Sequence, residues 1–243
     1  MNIKDKVIIV TGGARRVGRT ICLLLAERGA KIVINYNKSE KYATELLNDL
    51  NRINRRSAIA VKADVSNSDE VENLVESTIA HFKTIDILVN NAAIFFKTQL
   101  LDISEDDWDL FMDTNLKGPF ICSQKVVKIM SDKGSGKIIN IVDSLVISKE
   151  TEHYIPYLVS KAGLVMLTRT LASALAPDIH VNAIAPGPVL YPDNFSEEEK
   201  KQAVENTALK RNGSPEDIAM GVIFLIESEY ITGEVLHING GMF

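Results

Sequence analysis

The chain opens with an apolar strand that runs directly into a glycine-containing turn and then into an apolar helical stretch. The strand covers residues 6–10, the turn reads Thr11-Gly-Gly-Ala-Arg-Arg-Val-Gly18, and the helical stretch continues from Ile21. Glycines allow a backbone to approach a phosphate closely, and the N-terminus of the following helix offers free N–H groups and a positive dipole end. This segment therefore predicts a site for the pyrophosphate of a dinucleotide.

Strand-like and helix-like segments alternate along the whole chain. The predicted strands are 6–11, 31–36, 58–63, 85–90, 136–143, 179–185 and 234–239, and the predicted helices are 17–28, 39–54, 68–82, 105–131, 154–176 and 215–227. Continuous apolar strands between amphipathic helices are typical of a parallel sheet covered on both faces. We predict an α/β, doubly wound parallel sheet of the Rossmann type, with about seven strands, in a single domain over 1–243.

The composition of the chain indicates its cellular compartment and excludes some classes of binding partner. The net charge of −5 argues against nucleic acid and against an anionic membrane surface. No apolar run reaches the roughly 18 residues of a membrane span, and the start lacks a signal peptide. Cys22 and Cys122 lie in apolar helical patterns, which favours reduced core cysteines and a cytoplasmic location. His81, His180 and His237 have no neighbours typical of a metal site, so no metal is expected.

A proline-containing stretch at about 186–214 is the one long irregular segment, with a charged helical patch from Ser196. It follows the sixth predicted strand and should lie over the carboxyl ends of the sheet, where such folds bind ligands. A second pattern, Tyr157-Leu-Val-Ser-Lys161, places two side chains on one helix face. The lysine charge is expected to lower the tyrosine pKa, which suits a general acid or base.

These motifs together resemble the short-chain dehydrogenase/reductase family over essentially the whole chain. The matching pieces are Thr11-Gly12…Gly18, Asp64-Val65, Asn90-Asn-Ala-Ala93, Asn115, Tyr157…Lys161, Pro186-Gly187, Tyr230-Ile-Thr-Gly233 and Asn239-Gly-Gly241. The resemblance implies that Tyr157 is the proton donor, that Lys161 holds the nicotinamide ribose, and that Asn115 supports the lysine through a relay water. It places Asp64 and Val65 near the adenine, and Asn90 and Ala92 along the cofactor.

Three departures from the family pattern resemble its pteridine reductase branch. They are Arg16 in the glycine turn, Asp143 at the end of the fifth strand, and Phe95 after the Asn-Asn-Ala turn. The resemblance implies a planar pterin between Phe95 and the nicotinamide, with Arg16 reaching the pyrophosphate and the pterin edge. Each residue also has a plainer explanation. Arg16 would be a surface charge, Phe95 would pack a loop, and Asp143 would cap a helix or turn.

The position that the family gives to a substrate-binding serine is ambiguous. Counting forward from Asn140 assigns it to Asp143, and counting back from Tyr157 assigns it to Ser144. We favour Asp143, because the strand end is anchored while the following loop can vary in length.

The end of the second strand favours NADP(H) over NAD(H). It carries no acidic residue until Glu40, and it offers Lys38 and several polar side chains, with Arg15 in the adjacent turn. Cations and hydrogen-bond donors suit a 2′-phosphate. The full set of expected cofactor residues is Thr11, Gly12, Arg15, Arg16, Val17, Gly18, Asn35, Tyr36, Asn37, Lys38, Ser39, Asp64, Val65, Asn90, Asn91, Ala92, Ala93, Tyr157, Lys161, Pro186, Gly187 and Val189.

The sequence thus predicts an NADPH-dependent reductase of a small unsaturated substrate such as a pterin, with Arg16, Phe95, Asp143 and Tyr157 at the substrate. One alternative is a carbonyl reductase, such as one for 3-oxoacyl thioesters, in which Ser144 holds the carbonyl oxygen. Another is a non-catalytic NADP-sensing protein. The resemblance further implies a homotetramer formed through the helices near 105–131 and 154–176.

Overall fold

The computed structural model describes residues 1–147, 152–192 and 195–242. Its framework is one sheet of seven parallel strands in the order β3-β2-β1-β4-β5-β6-β7. The strands are β1 Val7–Val10, β2 Lys31–Tyr36, β3 Ala58–Lys62, β4 Ile87–Asn90, β5 Gly136–Ile141, β6 Ile179–Pro186 and β7 Val235–Ile238. The predicted doubly wound parallel sheet is confirmed.

Helices connect these strands and cover both faces of the sheet. They are α1 Arg16–Glu27, α2 Glu40–Ile53, α3 Ser68–Phe82, α4 Glu105–Met112, α5 Gly118–Lys133, α6 Ile155–Leu175, α7 Glu197–Glu205 and α8 Pro215–Glu227. The helix predicted over 105–131 corresponds to α4 and α5, which are joined without a gap by a π-helical turn, Asp113–Lys117, that the sequence did not predict. Such a turn shifts the hydrogen-bond register and is frequent at functional sites.

Two apolar layers hold the helices to the sheet, because neighbouring strand residues point to opposite faces. On one face, Ile8 and Val10 pack with α1, α2 and α8. On the other, Val7 and Ile9 pack with α3 and α5. Cys22 and Cys122 are both buried in these layers and free, and burial raises their thiol pKa values, to about 12 for Cys122.

One helix departs from the expectation that no segment is apolar enough to cross a membrane. By length and composition alone, α6 passes that test. Its residues Leu164, Thr168 and Ala172 are nevertheless buried within the protein, and the helix packs against β6. We therefore assign α6 to the layer that covers the sheet.

The strand order places the ends of β1 and β4 side by side, although β1 is followed in the chain by β2. In open parallel sheets a crevice forms at such a switch point, outside the carboxyl ends of the strands. The glycine turn after β1 and the Asn90-Asn-Ala-Ala93 turn after β4 therefore meet at one edge, where β5 and β6 also end.

Candidate active site

The turn after β1 is shaped to accept a phosphate group. Gly12 has a φ of +58°, and a Cβ atom there would lie 2.9 Å from the Cα atom of Ala92. A Cβ atom on Gly18 would lie 2.6 Å from Asn91 Nδ2. The first turn of α1 has no side-chain cap and no acidic residue, so its N–H groups and dipole are available to an anion. These features fit the pyrophosphate of a dinucleotide.

Several polar residues predicted to contact the cofactor instead hold this turn in place. Asn35 Oδ1 accepts from the Gly12 N–H at 3.2 Å, and Asn91 Nδ2 donates to the carbonyl oxygens of Thr11 and Gly12 at 2.9 and 3.1 Å. Thr11 Oγ1 accepts from the N–H groups of Asn91 and Ala92, both at 3.0 Å. These side chains therefore act as supports of the turn, and their predicted roles as direct cofactor contacts stay unproven.

Asn90 was expected along the cofactor, but its side chain is buried between the sheet and α5. Its Nδ2 donates to Asn140 Oδ1 at 2.8 Å and to Ser123 Oγ at 3.3 Å. The Asn90 side chain therefore has a structural role, and the place of Asn90 along the cofactor stays a prediction. The sequence did not reveal this, because a strand-end asparagine can point either into the sheet or out of it.

The ends of β2 and β3 form the expected adenine side. Asn37 Nδ2 donates to Asp64 Oδ2 at 2.7 Å. Burial acts to raise the pKa of Asp64, but hydrogen bonds from Ser66 and Asn37 and the charge of Lys38 leave it below its ordinary value. Asp64 therefore stays ionised. Lys38 is exposed, and Ser39 directly precedes α2. The side chains of Val17 and Tyr36 are partly buried against the core, and Val65 is buried against Gly118.

The remaining predicted residues line the same edge of the sheet. Ala93 is exposed after β4, and Pro186 ends β6. The Gly187 N–H donates to the Ile238 carbonyl oxygen at 3.0 Å, and Val189 packs partly against the core. The long segment predicted to be irregular contains α7, which begins in a capping box at Ser196.

Asp143 and Tyr157 form a directly bonded pair at the centre of this edge. The Tyr157 hydroxyl donates to Asp143 Oδ2 at 2.5 Å. Asp143 lies two residues beyond the end of β5, and Tyr157 lies in the first turn of α6. Between the two candidates for the family's serine position, the structure places Asp143 next to the tyrosine.

Ser144 points away from this pair. It is fully buried, and its hydroxyl donates to the Ala185 carbonyl oxygen on β6 at 2.9 Å. Its Oγ also lies 3.5 Å from His237 Nδ1. A serine in this position stabilises the junction of β5 and β6, and its hydroxyl is not directed at Tyr157.

The charges in the site differ from the sequence expectation. Burial, followed by the Asp143 carboxylate, raises the pKa of Tyr157 well above its ordinary value. Burial also raises the pKa of Asp143. The hydrogen bond from Tyr157 and the charge of Lys161 act to lower this pKa, but burial has the larger effect. The expectation of a lowered tyrosine pKa is therefore wrong for this state of the site. Burial and the anionic neighbour at hydrogen-bonding distance both raise the pKa of Tyr157, which therefore holds its proton at neutral pH.

Lys161 lies one helical turn after Tyr157 and is almost fully buried. Its Nζ donates to the Ile141 carbonyl oxygen at 2.7 Å and lies 5.9 Å from the centre of the Tyr157 ring. Burial lowers its pKa to about 8, against the opposing effect of Asp143. The lysine therefore lies beneath the pair with only one backbone acceptor among the described residues, which leaves donors for a ribose.

Asn115 is placed by the π-helical turn and connects three parts of the site. Its Oδ1 accepts from the Ile94 N–H at 2.9 Å, and its Nδ2 donates to the Ile94 carbonyl oxygen at 3.1 Å and to Ser160 Oγ at 3.2 Å. Asn115 thus fixes the segment that leads into Phe95. The relay water that the family resemblance implies between Asn115 and Lys161 stays a proposal.

Aromatic side chains form one wall of the site. Phe95 meets Tyr157 edge to face, with ring centres 4.7 Å apart, and Tyr154 stacks on Phe95 at 4.9 Å. Phe195, between β6 and α7, lies 6.3 Å from Phe95. The sequence analysis named only Phe95 and missed Tyr154, although its position three residues before Tyr157 was a usable signal. Because Tyr154 covers one face of Phe95, a ring-shaped ligand has only the other face.

Arg16 crosses from the glycine turn to the segment after β6. Its guanidinium donates to the carbonyl oxygens of Leu190 and Tyr191 at 2.9 and 3.3 Å. Its φ of +52° is a conformation that favours glycine, which explains why a glycine is usual at this position. Arg16 therefore stands at the mouth of the site, between the expected pyrophosphate and the substrate segment.

Comparisons with known proteins agree with this geometry. A family model described as enoyl-(acyl carrier protein) reductase matches residues 12–243. A short-chain type dehydrogenase/reductase of Picea abies is 37% identical over 249 residues, covering 97% of this chain and 92% of that protein. The chain belongs to the short-chain dehydrogenase/reductase family. The resemblance seen in the sequence is confirmed at the level of the family.

Other relatives of this reductase carry a more specific name. The 3-oxoacyl-(acyl-carrier-protein) reductase FabG of Staphylococcus epidermidis is 39% identical over 244 residues, covering 98% of this chain and 99% of that protein. A protein of Synechocystis with the same activity in its name is 38% identical over 241 residues, covering 98% and 96%. These names match the carbonyl-reductase alternative and do not support the pteridine reductase branch.

A solved structure supports the cofactor. A blue fluorescent protein from a metagenomic library, crystallised with NADPH, superimposes with a TM-score of 0.92 at 35% identity and covers 100% of this chain and 99% of its own. The prediction of an NADP(H)-dependent oxidoreductase is confirmed. NADPH supplies a hydride when bound, and the glycine turn, Lys161 and the ends of β2 and β3 are the parts of this chain that fit it.

Proposed function

We propose that this reductase acts on a flat, nitrogen-rich ring and reduces its C=N bond, as in a dihydropterin. The observation that carries the proposal is the 2.5 Å hydrogen bond from the Tyr157 hydroxyl to the Asp143 carboxylate. A carboxylate at this point accepts hydrogen bonds from ring N–H and amino groups. A ketone or thioester carbonyl has no such donor to offer.

The charge at Asp143 also decides which product the site can stabilise. Carbonyl reduction develops negative charge on the substrate oxygen, and an adjacent carboxylate repels that charge unless it is protonated. Reduction of a C=N bond places the hydride on carbon and requires one proton on nitrogen. Tyr157 keeps its proton at neutral pH, and Asp143 has a raised pKa, so the pair can deliver a proton and take up another from solvent.

The aromatic wall suits the same class of substrate. Phe95 is held in place by Tyr154 on one face and by the Asn115-bound Ile94 segment before it. A planar heterocycle gains stacking energy against a ring that is already ordered, about 0.5–1.5 kcal/mol beyond the buried area. An acyl chain gains only the buried area.

We propose that Arg15 and Lys38 hold the 2′-phosphate that distinguishes NADPH from NADH. Both are exposed and lie at the junction of the glycine turn with the end of β2. The other cofactor residues expected from the sequence are proposed to line the groove mainly through their backbone, since Asn35, Asn90 and Asn91 use their side chains within the protein.

Reduction of 3-oxoacyl thioesters is the second candidate, and the names and full-length coverage of the relatives favour it. The geometry is less suited to it. Ser144, the residue expected to hold the carbonyl oxygen, donates to Ala185 instead. A protonated Asp143 would have to replace it.

Steady-state kinetics with NADPH separate the two candidates. We expect a higher kcat/KM for a dihydropterin than for an acetoacetyl thioester. The matched variant is Asp143→Ser, which supplies a hydroxyl without the charge and should shift the ratio toward the thioester. Efficient thioester reduction without pterin turnover, lost in Ser144→Ala and retained in Asp143→Ala, would reject the pterin proposal and establish the second candidate.

We also propose that the protein forms an oligomer through the outer faces of α4, α5 and α6. Exposed apolar side chains cluster on these helices, among them Leu110, Phe120, Val159 and Met166. An exposed apolar patch of this kind is typical of a subunit contact. Sedimentation velocity of the wild type and a Met166→Glu variant tests the proposal.

A further inference from the structure

Arg15 is held against an aromatic ring beside the expected 2′-phosphate position. Its guanidinium carbon lies 4.6 Å from the centre of the Tyr42 ring. Tyr42 is in the first turn of α2 and is 45% exposed, so the contact is at the protein surface. The Gly13 N–H donates to the Asn35 carbonyl oxygen at 2.9 Å and ties the glycine turn to β2, which brings these two residues together.

The nearby arginines of α1 and the glycine turn are committed to other groups. Arg16 donates to two carbonyl oxygens, and Arg19 forms an ion pair with Asp49 at 2.7 Å. Within the described residues, Arg15 has no carboxylate partner. A carboxylate would fix the side chain but cancel its charge. A ring face fixes it and leaves the charge and all five N–H donors free for an anion.

Lys38 is less suited to act alone. Its charge acts on Asp64 and contributes to the lowered pKa of that carboxyl. The positive charge of Lys38 is therefore partly balanced by the Asp64 carboxylate. Among the described residues, no aromatic ring lies against its flexible ammonium group. Of these two cations, Arg15 is the one with an aromatic contact that orders its side chain.

We infer that Tyr42 is a positioning residue for cofactor choice, which holds Arg15 toward the 2′-phosphate of NADPH. This inference rests on the proposed placement of the 2′-phosphate near Arg15 and is independent of the substrate. A guanidinium that is already ordered loses less conformational freedom when it binds a phosphate. The contribution of Tyr42 should therefore appear with NADPH and not with NADH.

Dissociation constants of NADPH and NADH, measured by the cofactor's fluorescence, test the inference. We expect Tyr42→Leu to weaken NADPH binding about two- to fivefold, the size of an exposed cation–π contact, and to leave NADH unchanged. Tyr42→Phe keeps the ring and should bind NADPH like the wild type. Tyr230→Leu, at a fully exposed tyrosine elsewhere, is the matched control.

A double-mutant cycle separates this inference from the phosphate placement itself. Arg15→Ala should weaken NADPH alone, by about tenfold or more, and in that background Tyr42→Leu should have no further effect. Equal loss of NADPH and NADH in Tyr42→Leu, or additive effects of the two substitutions, would overturn the role of Tyr42. An unchanged preference in Arg15→Ala would overturn the placement of the phosphate.

Discussion

Alanine at Asp143 and at Ser144 should separate catalysis from folding. Asp143→Ala removes the acceptor of the 2.5 Å bond from Tyr157, a short, charge-assisted type of hydrogen bond worth about 1.5–3 kcal/mol. In the proposed reaction Asp143 accepts a hydrogen bond of the same type from the ring of the substrate, and loss of that energy from the transition state lowers kcat about ten- to 150-fold. Removal of the carboxyl also removes a buried charge, which offsets part of the stability lost when the Tyr157 hydroxyl and the Leu145 N–H, which donates to Asp143 Oδ1 at 2.8 Å, lose their acceptor.

Ser144→Ala should show the opposite pattern. The substitution leaves the buried Ala185 carbonyl without the hydroxyl that donates to it at 2.9 Å. Loss of a typical hydrogen bond costs about 0.5–1.5 kcal/mol, which corresponds to a fall in Tm of about 1–6 °C for a chain of this size. Since the hydroxyl points away from Tyr157, kcat should change less than threefold, or about 0.7 kcal/mol.

Two measurements on the same preparations decide this prediction. NADPH consumption with saturating dihydropterin gives kcat, and thermal unfolding gives Tm. The reasoning is refuted if Ser144→Ala lowers kcat more than Asp143→Ala does, because the serine would then be the residue that faces the substrate.

Other variants test separate parts of the site. Tyr157→Phe should lower kcat by about 10²–10⁴ while NADPH still binds, whereas Lys161→Ala should impair both turnover and NADPH binding; isothermal titration checks the binding. Arg16→Gly should be about 1 kcal/mol more stable than Arg16→Ala in urea unfolding, because only glycine adopts a φ of +52° without strain. Burial lowers the pKa of Lys137 from 10.5 to about 8. Between these pH values the unfolded chain binds more protons than the folded protein, so the free energy of unfolding, measured by urea unfolding, should rise with pH. Lys137→Met should flatten that rise.

The parallel sheet was predictable because its strands are short, continuous apolar runs that alternate with amphipathic helices, whereas the order of the strands comes from the structure. The predicted strand 136–143 was two residues too long, since Val142 and Asp143 leave the sheet at the site. The π-helical turn at Asp113–Lys117 was not predicted, although Pro119 close after it was a usable signal, because a proline has no N–H to donate to the carbonyl four residues earlier. Periodicity continued across it in the sequence.

The site was predictable in its members but not in its electrostatics. The spacing of Tyr157 and Lys161 placed both on one face of α6, and the sequence then favoured a lowered tyrosine pKa. Burial, together with the charge and the hydrogen bond of Asp143, raises the pKa of Tyr157 instead, and that bond joins residues 14 positions apart. Likewise, Asn90 and Asn91 were identified as site residues, although only the structure shows that the Asn90 side chain bonds Asn140 in the sheet and that the Asn91 side chain supports the glycine turn.

Competition between the two substrates tests the central claim most directly. Wild-type protein is given limiting NADPH with equal concentrations of a dihydropterin and an acetoacetyl thioester, and the products are quantified by chromatography. We predict that most of the NADPH is consumed in forming tetrahydropterin, because Asp143 accepts hydrogen bonds from the ring and repels a developing alkoxide. Predominant formation of the hydroxyacyl thioester would contradict the account and assign the site to carbonyl reduction.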